Sequence, residues 1–427
     1  MYLRTPKRYR ARRRRRHLNL ISRRTLLVLL LIPAGIWLAV FIWDNRDSFH
    51  DEVSERADAL AGDIQTQVAS EPTPTATPDL ASAQSVCDAY LQGASVNMEE
   101  AIEQCTIMAE SRPNDVVLHY HVTHMLVVTS SLGQNEERLV RALEFAERTI
   151  NADPEAPHGW AIRAMVFDWQ GDYSRALASA LMARALDENF APTYAFLAEI
   201  YSDLGQAELA LSYVEQAIEL DTAGLAVSDA FRTEGMIYAN QGDRESAVSP
   251  YEMALQQAPP GHTYIVVELA NTYNALAVNT GDTSYYDQSL AMLEAAQEEN
   301  PWDASVLWVM GYTSLQSGNR ERAYEYYQRC LELEPENVSC LSYLGGLYNL
   351  DGDIENAIPN LRRAIELGST DPDDYLELGR AYAAQNQCNL AIPFLEQGYQ
   401  IALARELVQK QGSFINALQG CGVLINQ

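Results

Sequence analysis

Residues 304–337 read ASVLWVMGYTSLQSGNRERAYEYYQRCLELEPEN, and residues 338–371 read VSCLSYLGGLYNLDGDIENAIPNLRRAIELGSTD. Aligned without a gap, both 34-residue segments have glycine at position 8, alanine at position 20 and a Gly-Asn or Gly-Asp pair at positions 15–16. The same frame begins at six places in the chain: Pro157, Ala191, Ser228, Ala304, Val338 and Pro372. A fixed period of this length predicts an all-α solenoid of stacked helical units.

Three positions of the frame have a physical role in packing two helices together. Small residues at position 8 let the helices approach closely: Ala164, Ala198, Gly235, Gly311, Gly345 and Gly379. Alanines at position 20 do the same from the second helix: Ala176, Ala210, Ala247, Ala323, Ala357 and Ala391. A glycine at position 15 supplies the left-handed backbone that ends the first helix.

Weaker copies of the repeat flank the six in-frame ones. Residues 82–115 keep the frame, residues 116–156 have a longer first helix or loop, and residues 262–303 contain an insertion near 279–282. We count about nine helix-turn-helix repeats over residues 82–405. A C-terminal helix from about Leu403 to Leu418 is predicted as the polar cap within residues 406–427, because the last unit of a solenoid needs a solvated outer face.

The repeat resembles the tetratricopeptide repeat (TPR) family, whose landmarks are W-x2-L-G-x2-Y and A-x3-F. Matching residues here are Trp160, Leu197, the pair Gly379 and Tyr382, and Ala323 with Tyr327. The resemblance implies a solenoid that binds proteins instead of catalysing a reaction.

The family's groove-lining positions in each first helix imply a partner-binding set. Carried onto this chain, it comprises Met165, Trp169, Phe196, Glu199, Arg232, Met236, Asn240, Trp308, Tyr312, Tyr343, Leu376, Glu377 and Arg380. The alternative is that some of these residues only pack between repeats. The chain has two lysines, Lys7 and Lys410, so the carboxylate clamp of some family members is absent. An apolar or aromatic segment, with or without basic flanks, is the expected ligand.

The N-terminus predicts a membrane anchor. Residues 25–43, TLLVLLLIPAGIWLAVFIW, carry no charge and are long enough to cross about 30 Å of hydrocarbon as a helix. Residues 1–24 contain ten arginines and one lysine without any acidic residue, which predicts a cytoplasmic tail and an extracytoplasmic solenoid. Two alternatives are a twin-arginine export signal at residues 22–27 and a nucleic-acid-binding tail. A cleaved signal peptide is disfavoured, because no A-x-A site directly follows the apolar run.

Two spacers separate the predicted span from the solenoid. Residues 44–68 have apolar residues at helical spacing and form a candidate helical stalk, while residues 69–81 are a Pro/Thr-rich linker of extended character. Beyond the tail the chain has 19 Lys and Arg against 58 Asp and Glu. This acidity disfavours nucleic acid and favours basic partners, although it also serves simply to keep a long solenoid soluble.

All six cysteines follow the predicted span and fall into local pairs. The expected disulfides are Cys87–Cys105, Cys330–Cys340 and Cys388–Cys421, with buried free thiols as the alternative. No C-x-x-C, P-loop or other catalytic motif is present, so we expect no enzyme, cofactor or metal site. His119, His121 and His124 are interpreted as ordinary helix histidines, because positions 119 and 121 point apart on a helix.

The sequence therefore predicts a membrane-tethered scaffold that holds protein partners at the cell envelope. Two other functions remain open. The solenoid could be the docking or regulatory subunit of an envelope enzyme complex, or it could self-associate as a structural protein.

Overall fold

A computed structural model describes residues 79–94, 96–131, 133 and 135–423, and this part of the chain contains α-helices and no strands. The predicted tail, membrane span and stalk, and residues 69–78 of the linker, lie outside the described residues. Within residues 79–423, no helix has both the length and the apolar character that crossing a bilayer requires.

Nineteen helices follow one another along the described part of the chain. In order, α1 to α19 are Leu80–Leu91, Met98–Ser111, Val116–Val128, Glu136–Ala152, Pro157–Trp169, Tyr173–Leu186, Ala191–Asp203, Ala207–Leu220, Val227–Asn240, Arg244–Gln257, Thr263–Thr280, Ser284–Glu299, Ala304–Gln316, Arg320–Leu333, Val338–Leu350, Ile354–Glu366, Pro372–Ala384, Cys388–Ala404 and Val408–Gly420. Each odd-numbered helix up to α17 packs against the helix that follows it, and successive pairs stack on one another. The all-α solenoid of nine helical pairs and one terminal helix is confirmed for these residues.

The repeated small residues lie where paired helices meet. All six alanines at position 20 are completely buried. A Cβ atom added to Gly235 would lie 2.8 Å from the ring of Tyr251, so α9 and α10 could not pack this closely with a larger residue there. The turn glycine Gly171 has φ 74°, and Asp172 then caps α6 by accepting a 3.0 Å hydrogen bond from the backbone N–H of Arg175.

The irregular repeats differ from the others in two ways. The extra residues near 279–282 lengthen the first helix, since α11 runs for 18 residues before Gly281 ends it. In the second repeat the loop after α3 is longer instead. The terminal helix α19 begins at Val408, five residues later than the pattern predicts, because α18 continues to Ala404.

Side chains that are far apart in sequence also meet. The side chain of Tyr90 lies 3.2 Å from His262, and the hydroxyl of Ser131 donates a 3.1 Å hydrogen bond to Glu334, 203 residues away. The first helical pairs therefore contact later ones. Helix α3 (VVLHYHVTHMLVV) is enclosed by this arrangement, and nine of its thirteen residues are buried.

The six cysteines form three disulfides in the structure. Cys87 is bonded to Cys105, Cys330 to Cys340 and Cys388 to Cys421, with Cα–Cα distances of 4.9, 6.4 and 5.3 Å. These bonds join α1 to α2, α14 to α15, and α18 to the end of α19. Each one therefore links neighbouring elements of the solenoid.

Candidate partner-binding surface

Helices α5, α7, α9 and α11 contribute side chains to one pocket on the solenoid. We call it the acidic pocket; its volume is about 320 Å³, and its lining is Asp168, Trp169, Gly171, Tyr173, Glu199, Asp203, Arg232, Met236 and Glu268. Four of these residues belong to the set that the family resemblance implies: Trp169, Glu199, Arg232 and Met236.

Arg232 lies at the centre of the acidic pocket and is 4% exposed. Its guanidinium donates hydrogen bonds to Glu199 at 2.5 Å and to both carboxylate oxygens of Glu268 at 2.6 and 2.9 Å. It also lies over the rings of Trp169 and Tyr264, 5.3 and 5.2 Å from their centroids. Burial opposes its charge, but the two glutamates hold the pKa of Arg232 well above its ordinary value. The guanidinium of Arg232 is thus paired with carboxylates of the protein itself.

Asp168 is buried in the same pocket without such a partner. It is 4% exposed, and its Oδ1 atom accepts no hydrogen bond. Burial and the neighbouring charges of Glu199 and Asp203 raise the pKa of Asp168 to about 9, and Arg232 offsets this only in part. At the exposed rim, partial burial and Glu199 raise the pKa of Asp203 to about 6. The pocket contains more carboxyl groups than its one guanidinium can neutralise.

An aromatic row continues along the first helices of two later repeats. It consists of Trp308 and Tyr312 on α13 and Tyr343 on α15. The rings of Trp308 and Tyr343 stack with centroids 5.8 Å apart, and Tyr312 meets Tyr343 edge-on at 5.6 Å. All three side chains are half-buried, so part of each ring is accessible for an apolar contact.

The other predicted groove residues lie in different surroundings. Met165, Phe196 and Leu376 are at most 4% exposed, so the structure places them in the helix-packing core and not on an accessible surface. Glu377 and Arg380 form an ion pair at 2.8 Å near the C-terminal end of the solenoid. The remaining residue, Asn240, is exposed at the end of α9.

The sequence analysis missed three acidic residues of the pocket, Asp168, Asp203 and Glu268. Asp168 occupies position 12 of its frame, next to the position that the family resemblance uses. Glu268 lies 36 residues after Arg232, so the 34-residue frame does not align the two. Asp203 could have been found, since it shares position 13 with Trp169 and Asn240.

A second polar cluster lies where the first helical pairs contact later ones. We call it the histidine seam; it borders a cavity of about 470 Å³ and includes Tyr90, Tyr120, His121, His124, Asp229 and His262. His124 lies 3.2 Å from the carboxylate of Asp229, and Tyr264 donates a 2.9 Å hydrogen bond to the same carboxylate. Burial would raise the pKa of Asp229, but His124 and Tyr264 hold it below its ordinary value.

Two of the seam histidines, His121 and His262, are uncharged near neutral pH. Burial, followed by the charge of His124, lowers the pKa of His121 to about 4 and that of His262 to about 3. His119 lies apart from them, with its Nε2 atom 3.3 Å from the carbonyl oxygen of Arg112. Among residues 79–423 there is no group of three or more His, Cys, Asp and Glu side chains arranged to hold a metal ion.

Comparison with known proteins agrees with this architecture. The sequence model of the tetratricopeptide repeat family matches residues 191–223 and 304–337. Anaphase-promoting complex subunit 7 of Arabidopsis thaliana is 23% identical over 311 residues, which cover 73% of this chain and 52% of that protein. The chain therefore matches about half the length of this relative. The TPR repeat-containing protein YpiA of Bacillus subtilis is also 23% identical over 311 residues, covering 67% of this chain and 70% of the relative.

A solved structure gives the same result for the fold. The crystal structure of the APC/C hetero-tetramer Cut9–Hcn1 is similar with a TM-score of 0.58 at 15% sequence identity, covering 79% of this chain and 67% of the other. The chain thus contains tetratricopeptide repeats and folds as a TPR-type solenoid. Solenoids of this class are scaffolds that present extended surfaces to other proteins.

Proposed function

We propose that this protein is a membrane-tethered scaffold whose TPR solenoid lies outside the cytoplasm and holds protein partners at the cell envelope. The uncharged segment at residues 25–43 and the arginine-rich residues before it support the tether and its orientation. The three disulfides of the structure fit an oxidising compartment.

The acidic pocket is the observation that supports partner binding most strongly. Its buried Asp168 has a carboxyl oxygen without a hydrogen bond, and buried polar atoms in folded proteins are nearly always paired. The half-buried aromatic row supplies apolar surface of the kind that protein interfaces use. Partner binding through these two surfaces, and not catalysis, is the function that the arrangement favours.

Photo-crosslinking in native membranes tests this function. A photoreactive amino acid replaces Trp308 or Tyr343 in the full-length protein, and Val140 and Leu209, exposed residues of second helices, provide the controls. We expect one envelope protein to crosslink from the aromatic row and from neither control position. Equal crosslinking from all four positions would contradict the assignment of the surface.

The identity of the crosslinked protein separates the alternatives. A catalytic chain would make the solenoid the docking subunit of an enzyme complex. A second copy of the same chain would indicate a self-associating structural protein. The orientation is tested separately by fusing alkaline phosphatase after Gln427, since this reporter is active only outside the cytoplasm; an inactive fusion of full length would contradict the extracytoplasmic location.

A further inference from the structure

We propose that the acidic pocket binds a lysine or arginine side chain of the partner, together with a backbone carbonyl group next to that side chain. The inference rests on the proposed scaffold function, because it names the chemistry that one part of the partner must have. It concerns the residues around Asp168 and makes no claim about the aromatic row.

The first argument is the balance of charge. Four carboxyl groups line the pocket, at Asp168, Glu199, Asp203 and Glu268, and Arg232 is the one basic residue in its lining. Arg232 already forms ion pairs with Glu199 and Glu268. In the part of the chain that the structure describes, Asp168 and Asp203 have no basic partner. A cation from another molecule would complete the pocket.

The second argument is that two buried polar atoms of the pocket have no hydrogen-bond partner. One is the acceptor Oδ1 of Asp168, and the other is the donor Nε1 of Trp169. A buried donor or acceptor without a partner destabilises the fold, so both atoms gain from a ligand that pairs with them. An ammonium or guanidinium group can donate to Asp168 but cannot accept from Trp169. A backbone carbonyl oxygen can accept from Trp169, which is why a peptide suits the site better than a free amine.

The third argument is size and access. The volume of about 320 Å³ is near the lower end of the range of ligand pockets, about 300–1,000 Å³. It suits one long side chain and its peptide unit. Asp203 and Gly171 are exposed at the rim, so a side chain can enter from solvent without displacing a helix.

Binding of a cation should also release a proton. Without a ligand, burial and the nearby carboxylates raise the pKa of Asp168, so this side chain is protonated at neutral pH. A cation held against it favours the ionised carboxylate and lowers that pKa. The affinity for a basic side chain should therefore increase between about pH 6 and pH 9, and near neutral pH about one proton should be released for each cation bound.

Calorimetric titration of the full-length protein in detergent micelles tests the inference. The probe is Nα-acetyl-lysine N-methylamide, which has both the ammonium group and the flanking carbonyls. The norleucine analogue lacks the ammonium group, and butylamine lacks the carbonyls. We expect the lysine probe to bind about tenfold more tightly than either, which corresponds to about 1.4 kcal/mol. Titration in two buffers of different ionisation enthalpy counts the released protons.

Two protein variants each replace one carboxyl group with an amide. Asp168→Asn should lower the affinity for the lysine probe about tenfold and abolish proton release, because it removes the titrating carboxyl group. Glu208→Gln removes one exposed carboxylate from α8, outside the pocket, and should change neither. The pH dependence of the unaltered protein provides a second test that needs no variant.

Several results would overturn the inference. The norleucine analogue could bind as well as the lysine probe, or Glu208→Gln could weaken binding as much as Asp168→Asn. Equal binding of butylamine would indicate a site for free amines and not for a peptide. No measurable heat with the lysine probe up to about 10 mM, a concentration that detects even millimolar dissociation constants, would exclude a basic ligand. If crosslinking from Trp308 still captures a partner in these cases, the scaffold function stands and only the pocket's ligand is wrong.

Discussion

Asp168 in the acidic pocket and Asp229 in the histidine seam are both 4% exposed, yet the pKa values of the two carboxyl groups are shifted in opposite directions. Asp229 is paired with His124 and accepts a hydrogen bond from Tyr264, which holds its pKa below the ordinary value. Asp168 has an oxygen without a partner, and its pKa is raised. Burial is the same, so the difference comes from the neighbouring groups.

The comparison separates a structural cluster from a candidate binding site. In the seam, the carboxylate and the imidazole satisfy each other and join helices that are 105 residues apart in sequence. In the acidic pocket, the folded protein retains an unfavourable arrangement that a ligand can relieve. Functional sites are often less stable than the same fold would allow, since residues there are arranged for the ligand.

The largest loss of folding stability is expected from removing the Asp229 carboxylate of the histidine seam. Asp229→Ala removes the partner of both His124 and Tyr264, and each buried polar group left without a partner costs about 1–3 kcal/mol. Helices α3 and α9 should then exchange their amide hydrogens much faster, as measured by mass spectrometry on the full-length protein. Glu208→Gln serves as the exposed control. Unchanged exchange in α3 would mean that the seam does not hold the first helical pairs in place.

Removing the disulfide beside the seam should have the next largest effect. Non-reducing peptide mapping should first recover the link between Cys87 and Cys105, which holds the helix that carries Tyr90. The double substitution Cys87→Ser and Cys105→Ser should lower the stability of α1 and α2 by about 2–4 kcal/mol. Binding of the lysine probe in the acidic pocket should not change. Recovery of free thiols in the unaltered protein would contradict both the pairing and the oxidising compartment.

Acid should lower the folding stability of the helices around the histidine seam but not that of the helices around the acidic pocket. His121 and His262 have folded-state pKa values of about 4 and 3, below the ordinary value of 6.5, so the unfolded chain binds protons first as the pH falls. Stability is therefore complete above about pH 6.5 and decreases towards pH 4, by up to about 1.4 kcal/mol per pH unit for each histidine. Hydrogen exchange in α3 between these pH values measures the effect. Replacing His262 with Gln should reduce this slope; an unchanged slope would remove His262 from the explanation.

The effect of the buried Asp168 carboxyl group on stability should have the opposite dependence on pH. The raised pKa of Asp168 means that the folded protein binds a proton which the unfolded chain loses above about pH 4, so this residue destabilises the fold increasingly as the pH rises. Asp168→Asn should therefore increase the free energy of unfolding near pH 8 and leave it unchanged near pH 4. Chemical denaturation of α5 and α7, followed by hydrogen exchange, provides the measurement. A loss of stability near pH 8 would show that Asp168 is satisfied in solution.

The repeat made the local architecture predictable, because each helical pair depends on residues within one 34-residue frame. The completely buried alanines such as Ala210 and Ala357, and the turn at Gly171, follow directly from that frame. The contacts of the histidine seam do not follow from that frame, because the contact between Tyr90 and His262 joins residues of distant repeats. One signal was present: α3 is apolar on all sides, a pattern typical of a helix that is enclosed and not laid on a surface.

The acidic pocket was predictable only in part. The family positions identified Trp169, Glu199 and Arg232, which do lie together. They also selected Met165 and Phe196, which are buried in the core, because a position on a helix does not determine what the neighbouring repeats cover. Whether a buried carboxylate has a partner depends on the side chains of three or four helices at once, and no local pattern contains that information.

The most direct test of the central claim is to map where a partner touches the acidic pocket. A photoreactive amino acid in place of Tyr173, which lines the pocket, would mark the contacted residues of the partner for mass spectrometry when the full-length protein is crosslinked in intact cells. We expect the crosslinks to fall within a few residues of a lysine or arginine and to disappear when Asp168→Asn is introduced. Crosslinks that fall on segments without a basic residue, and that persist with Asp168→Asn, would contradict the claim that the unpartnered carboxyl group marks the binding site.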